Sequence, residues 1–420
     1  MQKILLFFLF VLSICSSSGQ EMPGGVLMEN SSVQIGQGNI HQLFSETIYF
    51  GPEADWIIDG TVEIWSQKIW IAPNAAIKGS GRLIIYNPGD SPYFPNSKKK
   101  ATIVDGNNSN FIQVLVEHHN STGIVLEDIN DPGYSIQNPA GSDAARLNIG
   151  SELHLAKNGA DVRLNGYNLG LARNAVINNY SGQRRLITDT DRGHVLKLLS
   201  PGATFTYPVA SGDLHYAPVT ISAVTTEGTV YVRASDRFSS PVRPKDPRFG
   251  INLDWNIYSP ELLSAVITLE QPADVNNEKY IDEKAFIYQF NGTENLDKLL
   301  TKRISLGLHQ IGPLALAANK EDNSAWLTKA STSTKDFFIP NTFSPNGDGI
   351  NDQFVLIGIE AFDHVEVQIF NRWGNQLYHH TRYDNSWAGI GQLAGTYFYV
   401  ITAHEGGSKT VFKGWVLLTK

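Results

Sequence analysis

Two carboxylates and a histidine come together in one short polar stretch of the chain. Asp189 and Asp191 precede His194, and Gly193 lies between Asp191 and His194. Paired carboxylates serve as acid and base in enzymes that cleave polysaccharides, and residues two apart on a strand point to the same face. The glycine and the polar residues around it favour an ordinary turn instead. Asp189 and Asp191 are therefore the catalytic candidates, with a turn as the favoured interpretation.

A second stretch, near the C terminus, carries four oxygen-bearing side chains in a glycine-rich turn. They are Asn346, Asp348, Asn351 and Asp352. Calcium binds oxygen ligands of this kind, and glycines allow a chain to curl around the ion. The spacing of an EF-hand, with its distal glutamate, is absent. Asn and Asp also cap their own backbone in turns, so a metal-free turn is favoured, and calcium is the one cofactor that the sequence suggests.

Adjacent histidines raise the question of a metal site. His118 and His119 follow Glu117 at the end of a strand-like run. Neighbouring residues on a strand point to opposite faces, so the two imidazoles cannot readily share a metal ion. The sequence predicts a solvated strand end here. It contains no metalloprotease, serine-hydrolase or P-loop motif.

Aromatic residues of the first hundred positions are a further candidate for binding. They are Trp56, Trp65, Trp70, Tyr86 and Tyr93. Exposed aromatic rings stack on sugars, but large aromatic side chains lie more often in a core. A core position or a stack between turns of the fold is favoured, and a platform for polysaccharide is the alternative.

Short strands must position the C-terminal turn. Five strand-like runs, separated by turn residues, are Phe337–Phe343, Gln353–Ile359, Val365–Phe370, Gly395–Thr402 and Lys409–Leu418. In the third run, apolar residues alternate with polar ones, which is the period of a half-buried strand. The pattern predicts a small antiparallel sandwich of immunoglobulin-like size. The core of this sandwich is expected to contain Trp373, Trp387 and Trp415.

Two motifs occupy the same region. The first, within residues 339–354, contains Pro340, Asn341, Phe343, Pro345, Asn346, Gly347, Asp348, Gly349, Asn351, Asp352 and Phe354. The second contains Asn371, Arg372, Trp373, Gly374, Trp387, Gly389, Gly395 and Tyr397, followed by the terminal run Lys413–Leu418. Together, and in this order, they resemble the gliding-motility-associated C-terminal domain, the type B sorting domain of the type IX secretion system. The resemblance covers residues 337–420, and Ala388 stands where the family typically has Asp.

The resemblance implies where the protein is exported. Domains of this family carry a folded cargo from the periplasm across the outer membrane and leave it on the cell surface or in the medium. The expected partner of residues 337–420 is therefore the type IX secretion machinery. The family does not tell what the cargo does.

Residues 20–310 are predicted to form the cargo, and residues 311–336 a linker. In residues 20–177, short strand-like pieces follow one another closely, which suits a β-solenoid, and a β-sandwich is the competing interpretation. Residues 178–310 have the strand pattern of a β-sandwich module. The Ser-, Thr- and Lys-rich stretch from Ser324 to Lys335 predicts a flexible tether. The whole chain is thus expected to be all-β.

Residues 1–19 have the pattern of a secretory signal peptide, with Lys3 before an apolar run and small residues before Gln20. Cleavage there removes Cys15, the one cysteine of the chain, so disulfides and cysteine catalysis are not expected. No later segment is long and apolar enough to span a membrane. The formal net charge of −8 argues against a nucleic-acid partner.

These patterns predict a protein secreted through the periplasm to the cell surface or the medium. Its cargo is expected to act as a structural, adhesion-like or binding protein with polysaccharide or surface proteins as partners. The alternative is a polysaccharide-active enzyme, a glycosidase or lyase, on a β-helix. Acidic residues clustered in one groove of the N-terminal region would favour the enzyme.

Overall fold

The computed structural model describes residues 25–92, 98–222, 224–236, 247–291, 296–331, 337–359, 362–405 and 408–419. The predicted signal peptide and Tyr93 lie outside these residues. Regular structure in the described residues consists of β-strands and six short 3-10 helices, Pro88–Asp90, Gly141–Asp143, Pro247–Phe249, Ala273–Val275, Asp282–Lys284 and Asn323–Ala325. The predicted all-β fold class is confirmed. The chain divides into two compact units, residues 1–188 with 192–197, and residues 189–191 with 198–420.

Sixteen described strands lie between residues 26 and 199. They are β1 Val26–Glu29, β2 Ser32–Ile35, β3 Ile40–Phe50, β4 Asp55–Ile58, β5 Thr61–Ile71, β6 Ala76–Ile85, β7 Thr102–Asp105, β8 Gln113–His118, β9 Ile124–Leu126, β10 Leu147–Ile149, β11 Glu152–Leu155, β12 Val162–Arg163, β13 Leu169–Leu171, β14 Val176–Asn178, β15 Leu186–Ile187 and β16 Val195–Leu199.

These strands stack in parallel, each one on a strand of the preceding turn of the chain. Ile40 of β3 lies beside Thr61 of β5, and Thr61 lies beside Arg82 of β6. One turn of the coil is 21 residues here, as in the contact of Gln42 with Glu63. Later turns are longer, because an insertion after β6 separates Thr102 from Ser66 by 36 residues. The predicted β-solenoid is confirmed, and the competing sandwich is wrong for this region.

The parallel stacking extends past residue 177, where the sequence predicted the solenoid to end. Strand β15 pairs in parallel with β12, and Val195–Lys197 of β16 pair in parallel with β13. The predicted boundary is therefore too early. The sequence does not show this continuation. The turn after β14 is polar, and β15 and β16 are too short to show a period.

Aliphatic side chains fill the interior of the solenoid. Ile64, Leu83, Val116 and Leu153 come from four stacked strands and are buried. A cavity of about 20 Å³ remains among them, with an entirely apolar lining. That volume accommodates about one water molecule, so this cavity has no room for a sugar ring.

Buried asparagines link successive turns of the coil. Asn87 donates its side-chain amide to Asn120 at 2.6 Å, and Asn120 donates its own to the Thr102 hydroxyl at 3.0 Å. All three side chains are fully buried. Buried amides of this kind need such partners, because an unpaired buried amide costs a few kcal/mol. The ladder fixes the register of one turn on the next.

Eleven described strands follow, between residues 205 and 331. They are β17 Phe205–Tyr207, β18 Val209–Ala210, β19 Val219–Ser222, β20 Gly228–Asp236, β21 Gly250–Tyr258, β22 Ser264–Glu270, β23 Ala285–Phe290, β24 Leu296–Lys298, β25 Lys302–Ser305, β26 Leu308–Ala315 and β27 Trp326–Ser331.

Most of these strands form two antiparallel sheets. One has the order β17-β19-β22-β26-β25, and the other contains β20-β21-β27-β23-β24 in sequence. The Tyr207 hydroxyl of the first sheet donates to the carbonyl of Val230 in the second at 3.1 Å. The buried Lys329 of the second sheet donates to the carbonyl of Leu269 in the first at 2.9 Å. The two sheets therefore face each other around a common core.

The predicted flexible tether is wrong for the described residues 324–331. Strand β27 lies between β21 and β23, and all six of its residues are buried. Its polar side chains have partners inside the fold, since the Thr328 hydroxyl donates to the carbonyl of Leu253 at 3.0 Å. The ammonium of Lys329 donates to the carbonyls of Leu269 and Gly307 and to the side chain of Gln271. The Ser-, Thr- and Lys-rich composition of this stretch predicted a linker. Hydrogen bonds to residues of other strands instead place the side chains of Thr328 and Lys329 in the core. Residues 332–336 lie outside the described part of the chain.

Five described strands form the C-terminal domain, residues 337–420. They are β28 Thr342–Phe343, β29 His364–Phe370, β30 Gln376–His380, β31 Gly395–Glu405 and β32 Ser408–Leu418. They make one sheet in the order β28-β32-β31-β29-β30. Val365, Val367 and Ile369 are buried on its inner face, as their alternation predicted. The immunoglobulin-like arrangement stays a prediction.

The predicted strand Gln353–Ile359 is wrong, apart from a single bridge between Ile357 and Phe338. Phe354 and Leu356 alternate and are buried like strand residues. Their amides, however, donate to the carbonyl of Trp387 and to the side chain of Asn385, both at 2.8 Å. The segment is a loop that covers the inner face of the sheet.

Candidate functional site

The turn between β29 and β30 carries the first part of the second motif. The side-chain oxygen of Asn371 accepts hydrogen bonds from the amides of Trp373 at 3.0 Å and Asn375 at 2.9 Å. Gly374 has a φ of 83°, a left-handed conformation that glycine adopts without strain. An asparagine and a glycine thus shape a tight turn that presents Arg372 and Trp373 to solvent.

Trp373 is 74% exposed, and the Arg372 guanidinium lies 4.8 Å from the centre of its ring. Trp415 is 51% exposed on the outer face of β32. The prediction that these two tryptophans belong to the core is therefore wrong. Inward positions of the strands are occupied by other residues, such as Val416 beside Trp415. The core position predicted for Trp387 is confirmed, since it is 6% exposed.

An open groove of about 480 Å³ lies beside this turn. Its lining includes Arg372, Trp373, Leu377, Leu393 and Phe398. Of the described residues that line it, Arg372 alone is charged. The phenol of Tyr397 donates to the Leu393 carbonyl at 2.7 Å and holds the loop that forms one wall. The volume falls in the range of known binding clefts, and the lining offers apolar and aromatic contacts with one cation.

The sequence predicted neither the groove nor the exposure of its rings. Asn371, Arg372, Trp373, Gly395 and Tyr397 were singled out as motif residues, and all five line it. Leu377, Leu393 and Phe398 were not singled out, because an isolated apolar residue near a turn has no distinctive pattern. The described residues that line the groove include no carboxylate, so they provide no pair of carboxylates for acid–base chemistry.

Other motif residues hold the domain together. Phe343, Phe354 and Trp387 pack in the core, with ring centres of Phe343 and Trp387 5.1 Å apart. Gly389 has a φ of 59°, and a Cβ there would lie 2.3 Å from a methyl carbon of Leu418. Only glycine fits this close approach.

In the motif within residues 339–354, the carbonyl of Asn341 accepts the amide of Leu417 at 2.8 Å, and Pro340 and Pro345 flank this contact in half-buried positions.

In the predicted calcium loop, carboxylate oxygens accept hydrogen bonds from backbone amides of the same loop. The two carboxylate oxygens of Asp352 accept the amides of Gly347 at 2.7 Å and Gly349 at 2.8 Å. Asp348 accepts the amide of Ile350, which lowers the pKa of this carboxyl. The side chain of Asn346 contacts Asp348 at 2.9 Å, and Asn351 has a left-handed backbone. The contacts are those of an Asx-rich turn, and calcium stays a prediction.

Asp189 and Asp191 lie in a bend between β15 and β16 and on no described strand, so the expected placement on one strand face is wrong. The carbonyl of Thr190, between them, accepts a hydrogen bond from Arg233 at 3.2 Å. Burial lowers the pKa of Arg233 to about 10, and the charge of Asp191 opposes this shift. These contacts anchor the bend to β20. Catalysis by the two carboxylates stays a prediction.

The expectation of a solvated strand end at the histidines is wrong for His118, which is fully buried. Its Nε2 lies 3.1 Å from the carbonyl of Asp161, and its Nδ1 accepts the amide of Asn120 at 3.3 Å. Burial lowers the pKa of His118 to about 4. His119 contacts Glu117 at 2.9 Å instead. The two rings point apart, as the strand geometry predicted.

Trp56, Trp65 and Trp70 are buried within the solenoid, at 1%, 8% and 0% exposure. Trp65 stacks on Tyr86 of the next turn with ring centres 4.1 Å apart. Trp70 stacks on Tyr134, whereas Trp56 meets Phe50 edge-on with ring centres 5.2 Å apart. These three tryptophans are therefore core residues, as the favoured interpretation predicted, and present no open platform for a sugar.

Residues 337–418 match the family model described as the CHU_C type IX secretion signal domain. The resemblance found in the sequence is confirmed over this region. No curated protein and no solved structure matches the chain. The family match supports export by type IX secretion to the cell surface or the extracellular space, and it concerns the C-terminal domain alone. No helix among the described residues has the length and apolar character needed to cross a membrane.

Proposed function

We propose that this chain is a surface-exposed or released protein whose C-terminal domain is read by the type IX secretion machinery and whose N-terminal part binds rather than reacts. The observation that carries the export is the match of residues 337–418 to a secretion signal domain. Passage through the periplasm, after removal of residues 1–19, is part of the proposal.

The solenoid supports a structural or adhesion-like cargo. Its interior is filled by aliphatic side chains, and Trp56, Trp65 and Trp70 are buried. Stacked parallel strands produce long, regular flanks, which are suited to contact with extended partners such as polysaccharide or another surface protein. Side chains of catalytic type, such as His118 and Glu117, have partners in the fold.

Export is tested by deleting residues 337–420 in a bacterium that has type IX secretion. The full chain is expected at the surface or in the medium, and the truncated chain in the periplasm. Fractionation with an antibody against the solenoid measures the distribution. Equal surface fractions for both forms would contradict the proposal.

The role of the cargo is tested with residues 20–336 and a panel of polysaccharides. Binding without release of reducing ends or unsaturated products is the expected result. Product formation would replace the proposal by a polysaccharide-active enzyme. The double variant Asp189→Asn/Asp191→Asn would then show whether these carboxylates carry the reaction.

A further inference from the structure

We propose that the groove beside Trp373 is the surface by which the secretion machinery recognises the C-terminal domain, and that it takes a partner segment with apolar side chains next to a carboxylate. The inference rests on the proposed export function and adds the place and chemistry of the contact. The groove is lined by the exposed turn of β29 and β30, the loop 391–394 and the start of β31.

Exposed apolar side chains line this groove. Trp373 is 74% exposed, Leu393 79% and Phe398 45%, and all three line the groove. A contiguous exposed apolar surface on a domain of this size marks an interaction site, because leaving it in water is unfavourable. The burial of Trp373 contributes little to this domain, so its position in the motif is better explained by contact with a partner.

The charge of the groove indicates which kind of partner segment it fits. Arg372 is the one charged residue among its described lining, and its guanidinium is stacked on Trp373. Tryptophan and arginine are the residues most often found at the energetic centre of protein interfaces. A carboxylate of the partner would pair with this arginine in two parallel hydrogen bonds. The surface therefore fits a peptide segment in which an acidic residue adjoins apolar ones.

Aliphatic lining favours a protein over a polysaccharide. Leu377 and Leu393 offer no hydrogen bonds, whereas sugar hydroxyls need many. Two side-chain amides line the groove, those of Asn371 and Gln392, and the oxygen of Asn371 already accepts two backbone amides of the turn. Sugar hydroxyls placed against the two leucines would lose hydrogen bonds with water, whereas apolar side chains of a peptide would not.

Within the domain, the groove also lies away from the point where the chain enters. The domain begins at Phe337, which packs on Phe412 with ring centres 5.0 Å apart. Phe412 pairs with Ile401, whereas the groove is at Gly395, six residues earlier on β31. At about 3.3 Å per residue, roughly 20 Å separate the entry of the chain from the groove. The groove is therefore separate from the entry of the chain into the domain.

The test uses the full chain in a bacterium with type IX secretion. The double variant Arg372→Glu/Trp373→Ala reverses the charge and removes the ring, and Leu393→Asp places a carboxylate on the opposite wall. The matched control is Val411→Ser, because Val411 is 51% exposed on the same sheet and does not line the groove. We expect the surface fraction to fall at least about tenfold for the two groove variants, since loss of a residue at the energetic centre of an interface typically weakens binding by about tenfold or more. The control should be exported like the wild type.

Unfolding is excluded by hydrogen exchange of β29 and β31 in the retained protein, which should match the wild type. Normal export of both groove variants, with the 337–420 deletion still retained, would overturn the docking site and leave the export function intact. Normal export of the deletion itself would overturn the export function. Groove variants that lose a dimer or polysaccharide binding but are exported normally would assign the groove to a second copy or to a sugar, and would equally overturn the inference.

Discussion

Replacing Trp387 and Trp373 by alanine, one at a time, compares a buried and an exposed tryptophan of the same motif. Trp387 is 6% exposed and contacts Phe343, and Trp373 is 74% exposed on the turn. If a tryptophan side chain offers about 240 Å² to burial, Trp387 hides about 225 Å² and Trp373 about 60 Å². At about 25 cal/mol per Å² these areas correspond to about 5.6 and 1.5 kcal/mol.

Both figures are upper bounds, because the unfolded chain already hides part of this area and alanine restores some of it. Substitution of a buried tryptophan by alanine typically costs about 3–5 kcal/mol. We therefore expect about 4 kcal/mol for Trp387→Ala and about 1 kcal/mol or less for Trp373→Ala. The buried ring fills space between Phe343 and Phe354, so its loss also leaves a cavity that the sheet cannot close.

Hydrogen exchange of the full chain, read by mass spectrometry, measures these changes locally. Amides of β29 and β31 report the free energy of opening of the C-terminal domain. Their exchange should accelerate about 1,000-fold in Trp387→Ala and less than about tenfold in Trp373→Ala. Amides of β5 in the solenoid provide the internal control and should not change. Similar acceleration in the two variants would refute the distinction between a core tryptophan and an exposed tryptophan.

Three further predictions concern stability. Burial lowers the pKa of His118 to about 4 from an unfolded value near 6.5, so the stability due to the neutral ring is complete above about pH 6.5 and is lost as the pH falls through 4. The urea midpoint of the solenoid should drop between pH 7 and pH 4, and a flat profile would contradict the burial. Lys329→Met removes the Lys329 donor from three buried acceptors, of which the Gly307 carbonyl still accepts the amide of Gln271, and should cost about 3 kcal/mol in urea unfolding, whereas the exposed Lys302→Met should cost almost nothing. Calcium at Asp352 would raise the melting temperature of the C-terminal domain, and an identical value with and without chelator would remove this metal from consideration.

Local sequence patterns were sufficient to predict the fold class and the sorting domain of the protein. Alternation along Val365–Ile369 predicted an inner and an outer face, and both were found. The two motifs predicted a sorting domain in residues 337–420, and the family match covers 337–418. Such features are encoded within a few residues of one another, so they can be recognised without knowing what lies across the sheet.

Features that depend on distant partners were predicted poorly. Strand β27 looks like a linker because Thr328 and Lys329 are polar, and it is buried because Leu253, Leu269 and other remote residues accept their hydrogen bonds. The period of the solenoid was not predicted, because insertions lengthen some turns while the strands remain aligned. In both cases the decisive contact joins residues more than twenty positions apart.

The sequence by itself determined that this protein is all-β and that its C-terminal domain carries an export signal, because strand alternation and short motifs are local properties. Only the tertiary structure decided which motif residues support the domain and which face solvent. Trp387 and Trp373 have the same side chain, and the difference lies in the neighbours that the fold brings to them. Phe343 and Phe354 enclose the first, whereas the second lies on a turn with Arg372 against one face and a groove beside it.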